Sequence, residues 1–408
     1  MKNEKRATDP SFLPDRGLDE ALKLLRGVRF PAGDLPANLP EEGIGEVASL
    51  QQLAGHVFGG AARLGSGIAL AHMDPPTPWI TWAVAMWNAS LNQNLLHEST
   101  SPFATEAEAI AIRWLRPYFG MQGGHFCAGS SLANLTGIWA ARDAAGVKRV
   151  IASEAAHLSV EKACRLLGLE LIKVPADLTG QLEDSLVQGL EDACLVITAG
   201  TTSTGAIDPL ELAGQARWTH VDAAWAGPLR LSSAHSSLLD GIERADSIAV
   251  SAHKWLFQPK DSAVVLFKDL AAANAAIGFS SGYLAKPNVG VQGSRSAAAI
   301  PLLATLLAWG RDGIARRLNH LMDVADQLAR AVDSCDRLDL WAWPRTAVTV
   351  FRPTLCPVED FLAQTPQGMF STCLIAGGLW VRSVAANPLV EIDSVVDTLL
   401  RASEGSGA

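Results

Sequence analysis

The spacing of apolar positions changes several times along the chain, and each change marks an element or a boundary. Two stretches with helical period, about Glu106–Arg116 and about Ser130–Ala145, lead into short apolar runs of strand length: KRVIAS, ELIKVP, ACLVITAG, THVDAAW and SIAVSAH. A further helical pattern, about Ser159–Leu167, separates the first two runs. Strands alternating with helices predict an α/β fold with a mainly parallel sheet covered on both faces. Ligands of such sheets sit at the carboxyl ends of the strands.

The pattern differs at both ends. After about Ile300 a long helical stretch, PLLATLLAWGRDGIARRLNHLMDVADQLARAVD, leads into the strand-like pieces WAWPRTAVTVF and GGLWVRSVA and a closing helix of about Val390–Ala402. Residues 1–70 carry the proline- and glycine-rich RFPAGDLPANLPEEG between the helical pattern LDEALKLLRGV and a longer one over Ile44–Ala69. This arm has too little apolar surface for a core of its own. The predicted division is therefore an N-terminal helical arm, 1–70, a large domain, 71–300, and a small C-terminal α/β domain, 301–408.

Composition narrows the possibilities. With 408 residues, 49% of them apolar and 18% charged, the chain is long enough for about two globular domains. A net charge of -9 disfavours nucleic acid and anionic membrane as partners. No apolar segment is long enough for a membrane span, and the N-terminus lacks the apolar stretch of a secretory signal. The six scattered cysteines show no CxxC spacing, so neither a structural metal nor a disulfide framework is expected, and a cytoplasmic protein is.

Candidate chemistry concentrates in THVDAAWAGPLRL and DGIERADSIAVSAHKWLF, which place Asp222 at the end of one apolar run and His253 and Lys254 at the end of the next. An aspartate and a lysine at neighbouring strand ends are what pyridoxal 5'-phosphate (PLP) requires. The amine forms a Schiff base, and the carboxylate keeps the pyridine nitrogen protonated. The small Ala223 and Ala224 leave room for a flat ring, and His253 and Ser251 can bond a phosphate. Gly129, Ser130 and Ser131 open a helix, which suits a phosphate at the positive end of the helix dipole, although an ordinary serine cap reads the same way.

These segments, with SPFATEAEAIAIRWL, CAGSSLANL, AAHLSVEKA, TAGTTSTGAIDPL and VRSVAANPLVEID, resemble the group II PLP-dependent amino-acid decarboxylases over roughly residues 72–393. That family includes the aromatic amino-acid, glutamate, cysteine sulfinate and diaminobutyrate decarboxylases. The resemblance implies the PLP-dependent transferase fold type I, a homodimer with its active site at the subunit interface, and decarboxylation of an L-amino acid to its amine. It implies a phosphate loop at Gly129–Ser131, His157 stacked on the cofactor ring, Thr201 beneath it, and Arg382 on the substrate carboxylate. Asn94 and Trp82 fall in the segment that forms the side-chain pocket in relatives; Trp82 fits a core position equally well, and Asn94 leans toward a polar or acidic side chain.

The sequence departs from the family in two places. Leu132 stands where many members have glutamate, and only eleven residues separate Tyr283 from Arg295, where relatives carry a longer mobile loop with a catalytic tyrosine. Tyr283 is the proton donor that remains, with His157 or water as the alternative. Arg295 fits either a structural or a ligand role. The readings that stand behind decarboxylation are oxidative deamination on the same cofactor, and a catalytically weak homologue retained as a dimeric partner.

Overall fold

The structure, a computed structural model, describes residues 17–27 and 33–404. It divides into two compact units, Met1–Arg63 and Leu64–Ala408. The first contains α1 (Gly17–Arg26) and α2 (Glu46–Gly60), tied by Gln51 Nε2 donating to Glu20 Oε1 at 3.0 Å. Helix α2 is shorter than its apolar pattern predicts. It ends at the pair Gly59-Gly60, where the lack of a Cβ weakens helix propagation. The stretch Arg29–Gly43 lies partly outside the described residues.

The second unit begins with α3 (Trp79–Leu91), α4 (Pro102–Leu115), β1 (Gly123–Cys127), α5 (Ser130–Ala145), β2 (Arg149–Ser153), α6 (Leu158–Leu167) and β3 (Glu170–Val174). It continues with β4 (Ala193–Thr198), β5 (Trp218–Asp222), β6 (Ser247–Ser251), β7 (Ala263–Phe267), α7 (Leu270–Ile277) and the short β8 (Gly278–Phe279) and β9 (Asn288–Val289). Seven strands form one sheet in the order β1-β7-β6-β5-β4-β2-β3. Strands β2 to β6 pair in parallel, and β7 alone runs the other way, antiparallel to both β6 and β1. Every residue of β4, β5, β6 and β7 is buried, which explains runs such as AVVLF that are apolar on both faces.

The long helix α8 (Ala299–Asp333) is not continuous as its pattern predicts. Gly310 adopts φ 60°, ψ -178° inside it and kinks the axis. Beyond it, β10 (Leu338–Leu340), β11 (Val348–Pro353), α9 (Val358–Ala363), β12 (Ser371–Ile375), β13 (Gly378–Val384) and α10 (Ile392–Ser403) build a four-stranded antiparallel sheet with its helices. The two sheets are joined where it matters for the site: Trp225 Nε1 donates to Thr346 O at 2.7 Å, and Thr346 Oγ1 donates to Gly205 O at 2.6 Å. Among the described residues, no helix is long and apolar enough to cross a membrane.

Candidate active site

The carboxyl ends of β4, β5 and β6 converge with the start of α5 and α6 on one cavity. Lys254, Asp222, His157, Ser130 and Ala224, all singled out in the sequence, line it together with Thr202. Asp222 terminates β5, is 4% exposed, and accepts from Asn134 Nδ2 at 2.8 Å (Oδ2) and from Ala224 N at 3.1 Å (Oδ1). Lys254 follows β6. Loss of hydration on burial pushes its ammonium below the usual lysine range, against the opposing pull of Asp222 and Asp74. The direction favours a neutral, nucleophilic amine.

His157 caps α6. Its Nδ1 accepts from Ser159 N at 3.2 Å and pairs with Ser159 Oγ at 2.8 Å. Burial lowers its pKa; Asp222 opposes this, while Lys254 and Lys162 add to it. Gly129 has φ +93°, a conformation that side chains other than glycine rarely adopt, and a Cβ built there would meet His253 Cε1 at 3.7 Å. The turn thus sets the first amides of α5, which have no intrahelical acceptor, beside His253.

These residues fit PLP on an observation independent of motif. Ser251 Oγ and His253 Nδ1 are buried and have no hydrogen-bond partner, an expensive arrangement unless a ligand supplies one. His253 is neutral under ordinary conditions: burial first, then Lys260 and Lys254, push its pKa down to about 4. A buried hydroxyl, a neutral imidazole and a helix start form a donor set suited to a phosphate.

Other sequence candidates lie elsewhere. Thr201 turns into its own loop, where its hydroxyl pairs with Thr204 Oγ1 at 2.9 Å and accepts from Ala206 N at 3.1 Å; its neighbours Gly200 and Thr202 face the cavity instead. Arg382, on β13, donates to Thr202 O at 2.7 Å, Ser371 Oγ at 3.1 Å and Ala71 O at 3.2 Å, which reaches the cavity rim through Thr202 and leaves two of its five N–H groups for a ligand. Arg295 is engaged by Glu108 of α4 in a two-pronged ion pair, with Nη2 to Oε1 at 2.8 Å and Nη1 to Oε2. The pair ties α4 to the chain before α8.

Tyr283, Asn94 and Trp82 do not line the cavity. Tyr283 is 69% exposed with its ring 6.0 Å from that of His97. Asn94 Nδ2 donates to Ser294 Oγ, and Trp82 Nε1 donates to Thr77 Oγ1. The sequence reading missed Asn134, Ser159 and His220, which contact Asp222 or His157 directly or through one another. The signals were present: His220 and Asp222 are two apart on a strand and share a face, and Asn134 lies one turn after Ser130 on α5.

Helices on a mainly parallel sheet, a strand-end aspartate and lysine, and a small antiparallel sheet domain define PLP fold type I. Tryptophan decarboxylase of Oryza sativa solved with PLP and tryptamine superposes with a TM-score of 0.82 at 21% identity, over 99% of both chains. The model of the pyridoxal-dependent decarboxylase conserved domain matches residues 69–353, and the chain belongs to that family. L-2,4-diaminobutyrate decarboxylase of Rhizobium meliloti (strain 1021) is 32% identical over 80% of this chain and 73% of its own. Its counterpart from Acinetobacter baumannii is 27% identical over 88% and 84%. The protein is a carboxy-lyase that uses PLP to decarboxylate an amino acid.

Proposed function

We propose that Lys254, Asp222 and His157 form the reacting centre of a cytoplasmic homodimer that converts an L-amino acid to its amine. Lys254 Nζ would hold the cofactor through its aldehyde carbon, Gly129–Ser131, Ser251 and His253 would hold its phosphate, and Asp222 would keep the ring nitrogen protonated. Bound there, PLP supplies an electron sink for the bond to the departing carboxylate. The observation that carries the reading is the meeting of Asp222, Lys254 and His157 in one cavity from three separate strand ends.

The chain's own contribution is charge and position. Asp222 presents a buried negative charge, and removal from water strengthens its effect on a cation beside it. Arg382 offers its remaining N–H groups to the substrate carboxylate, and a planar guanidinium fixes orientation as well as affinity. Tyr283 supplies the proton to the carbon from its own chain or the neighbour's. Thr201 braces the loop that carries Thr202. The division into an arm to residue 70, a large domain to 300 and a small domain beyond it stays part of this reading.

The dimer is supported by the apolar residues left in water on α3: Trp79, Trp82, Trp87 and Leu91 are 70%, 50%, 59% and 65% exposed. A contiguous apolar surface of this kind marks an association site. Composite sites would place Asn94 and Trp82 of one chain at the substrate side chain bound by the other. A reducing compartment suits six free cysteines.

Borohydride reduction of the yellow holoenzyme should fix the cofactor to the peptide that holds Lys254, and carbon dioxide release should follow addition of the correct amino acid. The panel begins with L-2,4-diaminobutyrate, the amino acid named for the two relatives, then aspartate, glutamate and the aromatic amino acids. Label on another lysine overturns the assignment. Activity in a species that sediments as a monomer overturns the dimer.

A further inference from the structure

We infer that Asn134 is a positioning residue that fixes, through one directional hydrogen-bond chain, the acceptor arrangement of Asp222 and, through Ser159 Oγ, reinforces the Nε2-protonated tautomer of His157. The chain lies behind the cavity and rests on the site roles proposed above. Its members are buried: Asn134 is 1% exposed, Ser159 2%, and His220 and Ser247 0%. Water therefore cannot substitute for a missing partner, and each link must be made by the protein.

The donor at each link follows from chemistry. A carboxylate oxygen can only accept, so the group that faces Asp222 Oδ2 at 2.8 Å is the Asn134 amide N–H, while Oδ1 accepts from Ala224 N. The other Nδ2 hydrogen then goes to Ser159 Oγ at 2.9 Å. Asn134 Oδ1 is left to accept from His220 Nε2 at 3.1 Å, so His220 carries its proton on Nε2. His220 Nδ1 accepts from Ser247 Oγ at 2.8 Å, and Ser247 Oγ in turn accepts from Trp218 Nε1 at 3.0 Å. The polarity of the chain is set at Asp222, whose carboxylate oxygens can only accept, and the indole, which can only donate, is compatible with it at the far end.

The chain forks at Asn134. On the second branch Ser159 Oγ has received one hydrogen bond and passes its own proton to His157 Nδ1, at 2.8 Å, beside the backbone N–H of Ser159. The backbone N–H, which can only donate, places the His157 proton on Nε2, and the hydroxyl reinforces that tautomer. A second observation points the same way: Gly137, in the middle of α5, leaves space that no side chain could share, since a Cβ there would lie 2.4 Å from His220 Nδ1 and 3.1 Å from Ser247 Oγ. Glycine is unfavourable inside a helix. Here it admits the imidazole on which Asn134 depends.

The test uses Asn134→Asp, which keeps the shape and replaces the Nδ2 donor by an acceptor, and Ser159→Ala, which cuts only the branch to His157. Two quantities are read: the dissociation constant of PLP from the full chain, and the imidazole nitrogen chemical shifts of His157 in histidine-labelled protein, assigned with His157→Gln. Asn134→Asp should weaken PLP at least ~10-fold and move the His157 nitrogen shifts, because Ser159 Oγ loses its donor. Ser159→Ala should move the His157 shifts while PLP affinity stays within ~2-fold. A folded Asn134→Asp with wild-type affinity and wild-type shifts overturns the inference. So does Ser159→Ala with unchanged shifts, which decides the matter if Asn134→Asp does not fold. If wild type binds no PLP, the proposed site roles fail, and the His157 shifts still decide the chain by themselves.

Discussion

The two sides of the active-site region are built on opposite principles. Behind the cavity, Asp222, Asn134, His220 and Ser159 are buried and their polar atoms are matched one to one. On the side of α3 and the loop after β8, Trp82, Trp87 and Tyr283 stand in water, and Asn94 bonds only within its own surface region. A matched, buried set can hold charge in one place but cannot adapt. An exposed apolar face has no fixed geometry until something covers it. On the function proposed above, the contrast would separate the general chemistry, which needs a rigid Asp222, from substrate choice and proton delivery, which a second subunit would complete.

The largest effect should come from breaking the buried side. Asp222→Asn removes the charge facing the ring nitrogen, worth about 4 kcal/mol at ~4 Å and an effective dielectric of about 20, or roughly a thousandfold in turnover. Because the amide can still accept at one oxygen, the variant should fold and retain some cofactor. Measured kcat near wild type would remove Asp222 from its role. The same contrast predicts that surface variants such as Trp87→Ala, on the folded dimer, cost far less.

Acid should also act on the buried side. Burial pushes His125, His220 and His253 each down to about 4 from 6.5, with Arg295 adding to the shift at His125 and lysines at His253. Their folded values lie below the unfolded ones, so the stability they contribute is present above about pH 6.5 and is lost as pH falls toward about 4, by on the order of 3 kcal/mol each. Asp208 opposes them in part: burial raises it to about 6 from 3.8, which adds stability as pH falls through that window. Burial raises Asp246 as well and lowers His157 and His235, so the histidines still outnumber the opposing carboxyls and the net effect is a loss. Urea midpoints taken stepwise from neutral to acid should decline, and His220→Asn should flatten the decline.

Arg382 stands between the two sides, tied to the backbone of Thr202 yet not saturated. Arg382→Ala should raise KM by about 10- to 100-fold, the worth of a charge-assisted pair, with a smaller change in kcat. An equal fall in kcat at constant KM would make it a brace of the Thr202 loop and nothing more.

What the sequence made legible follows the same division. Lys254 and Asp222 could be singled out because they end neighbouring apolar runs, whereas His157 and the Gly129–Ser131 turn, each with an ordinary structural reading of its own, gained their roles from the family resemblance. Asn134 left only its place one turn after Ser130: its partners Ser159, His220 and Asp222 are 25, 86 and 88 residues away, and only the folded sheet brings them together. The sheet's antiparallel strand β7 was missed for a related reason, since a short run buried on both faces carries no sign of its direction. Helix α3 is apolar on nearly all sides, so the usual amphipathic period is weak there, and only its exposed tryptophans in the folded chain reveal a surface. Arg295 was left between two roles, and its partner Glu108 emerged only in the fold.

The smallest effect, and the one that would most sharpen the contrast, concerns Tyr283. Only eleven residues separate it from Arg295, and the chain has only one other tyrosine, Tyr118, whose ring is packed against the core. Tyr283 lies beside His97, outside the cavity of its own chain. If it delivers the proton from the exposed side, Tyr283→Phe removes the phenolic hydrogen and leaves the ring, the cofactor residues and Arg382 untouched. Carbon dioxide should still be released, and KM should change less than ~2-fold, since no interaction with the bound substrate is lost. The carbon left without its proton is then open to dioxygen, so the ratio of amine to aldehyde should fall while substrate binding holds. An unchanged ratio and unchanged turnover would move proton delivery to His157 or to water, and with it to the buried side of the site.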